Sequence, residues 1–320
     1  MSNSHDLFTK GDEQPLRDAA TVVLTRDGPT GLELYLLKRP AGSGFMGGAW
    51  VFPGGKVDSA DLDFHSTLLG DAGARLKEQV VATPGRDGPS GISLGVVVAV
   101  CRELFEEAGV LLARDQQTGA ALQSSDPRWP ALKKGRALLV SGEGSLGALL
   151  EDNGLRLALE EVEYFAHWIT PSAEKRRFDT RFFVAHLPPE QQATREENET
   201  ADAKWCAAEE ALGAAGRGDM FLPPPTLKTI EDVAQFETWG ALRRWALANS
   251  PFPILPKIRF EDEGVTILLP WDAEYAAAAG ADLDLVTPSE HPLVQGVSRI
   301  VFDGKRWRSA RFAEPIPKRD

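Results

Sequence analysis

Arg102-Glu-Leu-Phe-Glu-Glu-Ala-Gly-Val110, RELFEEAGV, closes a run from Leu94 to Leu112 in which Val97, Val100, Cys101, Leu104, Ala108 and Leu111 recur at three- and four-residue intervals. That period predicts a helix with one apolar face, and Gly109 is an ordinary place for it to stop. At roughly 100° per residue, Glu103, Glu106 and Glu107 fall within an arc of about 100°, turned from the apolar stripe. Like charges three and four residues apart repel by about 0.2–0.5 kcal/mol per pair, so the patch calls for open water or a cation. Hard oxygen ligands of this kind suit Mg2+ or Mn2+, which bridge protein carboxylates to substrate phosphates.

Upstream, Trp50 to Asp61, WVFPGGKVDSAD, reads as a strand running into a diglycine turn at Gly54-Gly55, where the missing Cβ lets another group approach the backbone closely. Further back, Asp18 to Arg26 and Leu32 to Lys38 are β-rich runs separated by the turn Asp27-Gly-Pro-Thr-Gly31, and a Gly-rich loop spans Pro40 to Gly48. Between Asp61 and the acidic helix lie one short helical pattern, around Thr67 to Val81, and the loop TPGRDGPSG. Downstream, after a polar and Gly-rich region, strands are expected at Val162 to Thr170 and Phe178 to Leu187, joined through Lys175-Arg-Arg177. A short helix is expected at Trp205 to Leu212, and Leu222-Pro-Pro-Pro-Thr226 precedes a helix reaching about Asn249. Two β-hairpins, Ile258 to Leu269 and Val297 to Phe312, follow the Pro-rich entry at 251–256, the second turning at Asp303-Gly304.

The spacing of Gly55, five residues, Asp61, and then RELFEEAGV resembles the Nudix box, GX5EX7REUXEEXGU, in which U is a bulky aliphatic residue. The second half matches at every specified position. Asp61 stands where the pattern has Glu, and forty residues, 62–101, separate it from Arg102 where seven are expected. A spacer of that length reads as a functional or accessory loop. A box split in this way is similar to the long-insert Nudix branch that includes the mammalian peroxisomal coenzyme A diphosphatase. Further stretches fit: GFMGGAWVFPGG at 44–55, RRFDTRFF at 176–183 and LPPPT at 222–226.

The resemblance implies an α+β Nudix fold, a mixed β-sheet sandwiched between α-helices, here with a C-terminal β-hairpin extension. It implies a Nudix hydrolase domain at 16–222 with its insert at about 62–95; the polar residues 1–15 read as a flexible leader, and 223–320, a helix and the hairpins behind their Pro-rich entry, as an extension that the resemblance does not reach at the hairpins. It implies a catalytic set of Arg102, Glu103, Glu106, Glu107 and, as a carboxylate outside the box, Glu199. Glu103, Glu106 and Glu107 would hold Mg2+ or Mn2+ together with a carbonyl of Gly54 or Gly55, Arg102 would orient the carboxylates, and Asp61 would be its partner. Arg176, Arg177 and Arg181 could engage phosphates, and Phe45 and Trp50 could stack on a nucleobase. The implied reaction is hydrolysis of a nucleoside diphosphate linked to another group: coenzyme A or acyl-coenzyme A, or alternatively ADP-ribose, NADH or a nucleotide sugar. A Nudix-fold binding or regulatory module without catalysis is the alternative of another class, and the retained acidic set argues against it, because such a module would gain by losing the mutual repulsion.

Composition narrows the remaining classes. A chain of 320 residues, 42% hydrophobic and 26% charged, has the balance of an ordinary globular protein and no apolar run of membrane-spanning length. Its net charge of -12 and lack of a basic block disfavour a nucleic-acid partner and leave a small-molecule nucleotide substrate, in a monomer or a homodimer. Two cysteines, Cys101 and Cys206, without CxxC spacing fit a reducing compartment, and the polar N-terminus lacks a secretory pattern, so a cytoplasmic location is expected. The five histidines show no metal-binding pairing, and GxSxG is absent.

Overall fold

The apolar run Ala20-Thr-Val-Val-Leu24 lies in strand β1 (Arg17–Gly28), which is buried on both faces: Ala20, Val22 and Leu24 enter one apolar cluster and Val23 the other. A near-continuous apolar run, in place of alternation, marks a strand covered on both sides. Its hairpin partner β2 (Gly31–Lys38) starts at Gly31, whose φ of 130° favours glycine. The two short strands β3 (Trp50–Val51) and β4 (Gly54–Lys56) follow, β4 pairing with the front of β1 so that Gly54 lies opposite Thr21 and Gly55 opposite Ala20.

The structure, a computed structural model, describes residues 15–43, 46–80, 82–86, 92–196, 200–261, 264–280, 283–294 and 296–312. Phe45, Glu199 and all of the expected leader except Pro15 lie outside these residues.

The main sheet is mixed. β1 runs parallel to β8 (Phe178–His186), which is antiparallel to β7 (Val162–Ile169), and the two-residue β10 (Pro253–Ile254) lies parallel beside β7. β9 (Asp202–Ala207) adds antiparallel to β2. Helices cover both faces. On one lie α1 (Ser59–Leu62), α2 (Gly70–Gln79) and α3 (Ile92–Ala108), whose Val96, Val100 and Leu104 join the first cluster. On the other, α6 (Ala208–Arg217), α7 (Pro224–Val233) and α8 (Trp239–Ala248) supply Ala211, Ile230 and Leu242 to the second.

Several expectations are corrected. The acidic helix ends at Ala108, because Gly109 takes a φ of 66° and Leu111 and Leu112 lead on to β5 (Ala113–Asp115). It is also buried nearly all round, beyond the single stripe that periodicity suggested. The polar and Gly-rich region holds α4 (Trp129–Val140), α5 (Leu146–Asp152) and β6 (Leu155–Leu157), the last paired with β5. Trp205 belongs to strand β9, opposite Tyr35, and the helix starts three residues later. The expected helix to Asn249 is two, α7 and α8. The C-terminal hairpins, β11 (Lys257–Glu261) with β12 (Gly264–Leu268) and β13 (Arg299–Phe302) with β14 (Trp307–Ala310), join through β12 and β13 into one antiparallel sheet. Its Val265, Ile267, Ile300, Phe302 and Trp307 enter the second cluster, so this sheet shares the core of the main one.

The described residues between Asp61 and α3 pack against the body. Phe64, Leu68, Leu69, Leu76 and Val80 are buried in the first cluster. Arg86 reaches into the sheet, its Nη1 donating to Asp18 and Asp179 at 2.6 Å and its Nη2 to the Leu16 carbonyl. Among the described residues no helix is long and apolar enough to cross a membrane.

Candidate active site

The last turns of α3 and the β4 strand meet over a polar cavity of about 860 Å3 whose walls include Gly54, Gly55, Glu103, Glu106 and Glu107. Gly54 donates its N–H to Glu107 Oε2 at 2.8 Å. Gly55 faces Glu103 so closely that a Cβ there would lie 2.2 Å from Oε1, and one on Gly54 would lie 2.4 Å from the Ala20 carbonyl. Neither glycine has a positive φ; both are needed for close approach, to a carboxylate in one case and to β1 in the other.

Arg102 organises the cluster. Its Nε and Nη2 each donate to Asp61 at 2.9 Å, its Nη1 to Glu103 at 2.9 Å and to Glu106 at 3.2 Å, and its Nη2 also to the Lys56 carbonyl. Asp61 is itself placed by the capping box of α1, where the Asp58 N–H donates to its carboxylate at 2.9 Å. Arg102 and Asp61 are both buried, so the pair sits in a low-dielectric surrounding where a bidentate arginine contact is strong and directional. Burial raises the Asp61 carboxyl above its ordinary range against the pull of Arg102. Glu103 is pushed up to about 7, chiefly by burial and further by Glu106, with Arg102 opposing.

The end of α3 is fixed from outside. Arg136 of α4 donates to the Glu106 carbonyl through Nε at 3.0 Å and Nη2 at 2.7 Å, and the N–H groups of Thr194 and Glu196 donate to the carbonyls of Ala108 and Glu107. These contacts satisfy carbonyls that a helix C-terminus leaves open.

The other expected site residues divide. Arg176 is exposed on the rim of the cavity. Arg181 is 1% exposed and donates to Asp18 at 2.7 Å, within a buried network that includes Asp179, His167 and Arg86. Arg177 is buried, with its Nε on the Thr170 carbonyl. Strand alternation is the reason: Phe178, Thr180 and Phe182 line cavities on one face of β8, which turns Asp179 and Arg181 to the other. Trp50 is also a core residue, packed in the second cluster beneath Lys38 and Lys204, which excludes base stacking. Sequence reasoning missed Arg39 and Thr200 in the cavity wall and Arg136 behind it. Arg39 Nε is buried with no hydrogen-bond partner among the described residues, yet in sequence it is one arginine at a strand end.

Hard carboxylate oxygens around a backbone that a side chain would obstruct fit a divalent cation. As folded, Glu103 and Glu106 turn to Arg102 and Glu107 to Gly54, and among the described residues no three His, Cys, Asp or Glu side chains stand at ligating geometry. Cation binding therefore requires these carboxylates to exchange their present donors for the ion.

The NUDT19 Nudix domain profile matches residues 16–233. The chain is 28% identical over 309 residues to the acyl-coenzyme A diphosphatase NUDT19 of Gallus gallus, spanning 81% of this chain and 79% of that protein. It is 27% identical over 274 residues to the Homo sapiens protein of the same name, spanning 77% and 72%. Among solved structures, a Nudix hydrolase from Alicyclobacillus acidocaldarius superposes with a TM-score of 0.57 at 24% identity, over 72% of this chain and 96% of that one, a likeness in fold. A profile covering more than half the chain, over the same residues that build the Arg102–Asp61 clamp and its ring of glutamates, means that the chain belongs to the Nudix hydrolase family, within its NUDT19 group.

Proposed function

We propose that this hydrolase is a divalent-cation-dependent diphosphatase cleaving coenzyme A or acyl-coenzyme A to 3',5'-ADP and (acyl-)phosphopantetheine. The observation that carries the reading is the pairing, across one cavity, of Glu103, Glu106 and Glu107 with the cations Arg39 and Arg176. A wall of carboxylates faced by guanidinium groups suits a substrate that brings both a metal ion and phosphates. The curated relatives, named acyl-coenzyme A diphosphatases, supply the substrate class.

Nudix hydrolases generally use divalent metals. Glu103, Glu106 and Glu107, with a carbonyl of Gly54 or Gly55, would hold Mg2+ or Mn2+ here. When bound, such an ion polarises a diphosphate oxygen and lowers the pKa of a water molecule. Arg102, held by Asp61, keeps the glutamate side chains aligned, and Arg39 and Arg176 offset the charge of the diphosphate. Glu199, which lies outside the described residues, would serve as base or as a further ligand. In this reading residues 16–222 form the catalytic domain, with its insert at about 62–95, and 223–320 extend it.

A substrate panel with Mg2+ and with Mn2+ tests the reading, measuring initial rates on coenzyme A, acyl-coenzyme A, ADP-ribose, NADH and a nucleotide sugar. The expected result is highest kcat/KM on the coenzyme A species. Turnover of ADP-ribose far above that of coenzyme A would replace this substrate with the alternative.

A further inference from the structure

A second cavity of about 220 Å3 adjoins the polar one, with Thr21, Arg39, Val51, Gly54, Phe178 and Thr180 forming walls of both. Away from these shared walls the lining is mostly carbon: Trp168 of β7, Phe182 of β8, Pro224 at the start of α7, and Ile267 and Trp307 from the C-terminal sheet. Arg39, whose Nε has no hydrogen-bond partner among the described residues, lines both cavities. Glu174, on the turn between β7 and β8, also faces the apolar space, and among the described residues nothing holds its carboxyl by hydrogen bond or ion pair. Burial alone pushes that carboxyl up to about 7, as an apolar surrounding requires.

Resting on the reading that the diphosphate lies over Glu103, Glu106 and Glu107, we propose that this apolar cavity takes the non-nucleotide arm of the substrate, beginning with the dimethyl-branched carbons next to its phosphate. Three observations carry the assignment. The cavity shares Gly54 with the carboxylate site, where the Gly54 N–H meets Glu107, so the group nearest to it is the one bonded directly to the diphosphate. The pantothenyl arm begins with a methylene and then a quaternary carbon bearing two methyls, which carbon walls accept, whereas a ribose or hexose would set several hydroxyls against a lining that is mostly carbon. A nucleobase fits this lining less well, since its several edge nitrogens would meet mostly carbon, with Thr170, Glu174 and Thr226 the polar side chains beyond the shared walls. The C-terminal sheet then has a role in specificity: Ile267 and Trp307 close the cavity and select the branched arm against sugars.

The test is calorimetric binding of 4'-phosphopantetheine and of ribose 5-phosphate to the full chain and to two filled variants, Ile267→Phe in the sheet and Glu174→Trp on the turn. The second variant keeps the test open if the first fails to fold. The expected result is that 4'-phosphopantetheine binds the natural protein about tenfold or more tighter than ribose 5-phosphate, as burial of two methyls implies, and loses that advantage in a folded filled variant. Equal binding of the two phosphates, or a preference unchanged by filling, overturns the assignment. If the preference holds but coenzyme A is not cleaved, the cavity assignment stands and the diphosphatase reading falls; if coenzyme A is cleaved and filling is without effect, the reverse holds.

Discussion

Arg102 grips Asp61 through two parallel hydrogen bonds, Nε to Oδ1 and Nη2 to Oδ2, both at 2.9 Å, joining residues forty-one apart in sequence. The contact rejoins the two halves of a motif that the insert has split. Removing one partner of a buried ion pair strands the other, typically at about 3–5 kcal/mol. Asp61→Ala is therefore expected to lower stability by that amount in thermal denaturation. It also frees the guanidinium to bind Glu103 and Glu106 more tightly, so a Mn2+ titration will show weaker binding. Unchanged stability would mean that the halves are joined by something else.

Gly55 tests the approach between β4 and α3. A Cβ 2.2 Å from Glu103 Oε1 forces the carboxylate aside, and the three nearest atoms it would meet all belong to that one side chain. Gly55→Ala should reduce turnover by on the order of 100-fold with a stability change of about 1 kcal/mol, because a small displacement of a reacting group is costly in rate. Steady-state kinetics beside a urea melt separates the two effects; near-normal turnover would show that Glu103 need not occupy this position.

Glu103 should make the metal-free protein sensitive to pH in a defined direction. Its folded pKa of about 7 lies above the ordinary 4.5, so the folded state holds a proton that the unfolded chain has released. Stability contributed by this group is full below about 4.5 and falls as pH rises to about 7. Glu103→Gln removes that dependence while other groups, such as His167 with its lowered pKa, cancel in the comparison. Relative to the natural protein in chelator, the variant should gain on the order of 2 kcal/mol between pH 5 and pH 8, at about 1.4 kcal/mol per unit. A difference flat across that range would contradict the burial of an ionisable Glu103.

Arg86 lies within the insert and binds Asp18 and Asp179, both buried in the sheet. Arg86→Ala leaves two carboxylates short of a cation, although Arg181 still contacts both. The expected loss is about 2–4 kcal/mol. Hydrogen exchange should quicken first in α2 and the segment leading to α3. If protection there is unchanged, the insert is held by its apolar residues alone.

What was legible in the sequence follows from what is local. The α3 carboxylates and the β1–β2 hairpin are written in spacings of five residues or fewer, and the structure has them; Gly54 and Gly55, expected as a turn, lie instead in strand β4 against β1. Arg181 was not legible as a core residue, because its partner Asp18 lies 163 residues away and only the parallel register of β1 with β8 brings them together. Period two alone could have separated Arg181 from Phe178, Thr180 and Phe182. Trp205 and Cys206 read as the start of a helix because the alanine-rich run after them dominates the window; pairing with Tyr35 and Leu34 decides otherwise. Arg39 carried no local signal, since its importance comes from lining two cavities built by distant parts of the chain.

The central claim is that Glu103, Glu106 and Glu107 hold the cation that drives diphosphate cleavage, and it is tested most directly by release of 3',5'-ADP from coenzyme A during a Mn2+ titration of the natural protein and of Glu106→Gln. The account predicts no release in chelator, saturable activation by the cation, and a loss on the order of 100-fold in the variant with its fold retained by circular dichroism. A variant as active as the natural protein, or release indifferent to chelator, would contradict it.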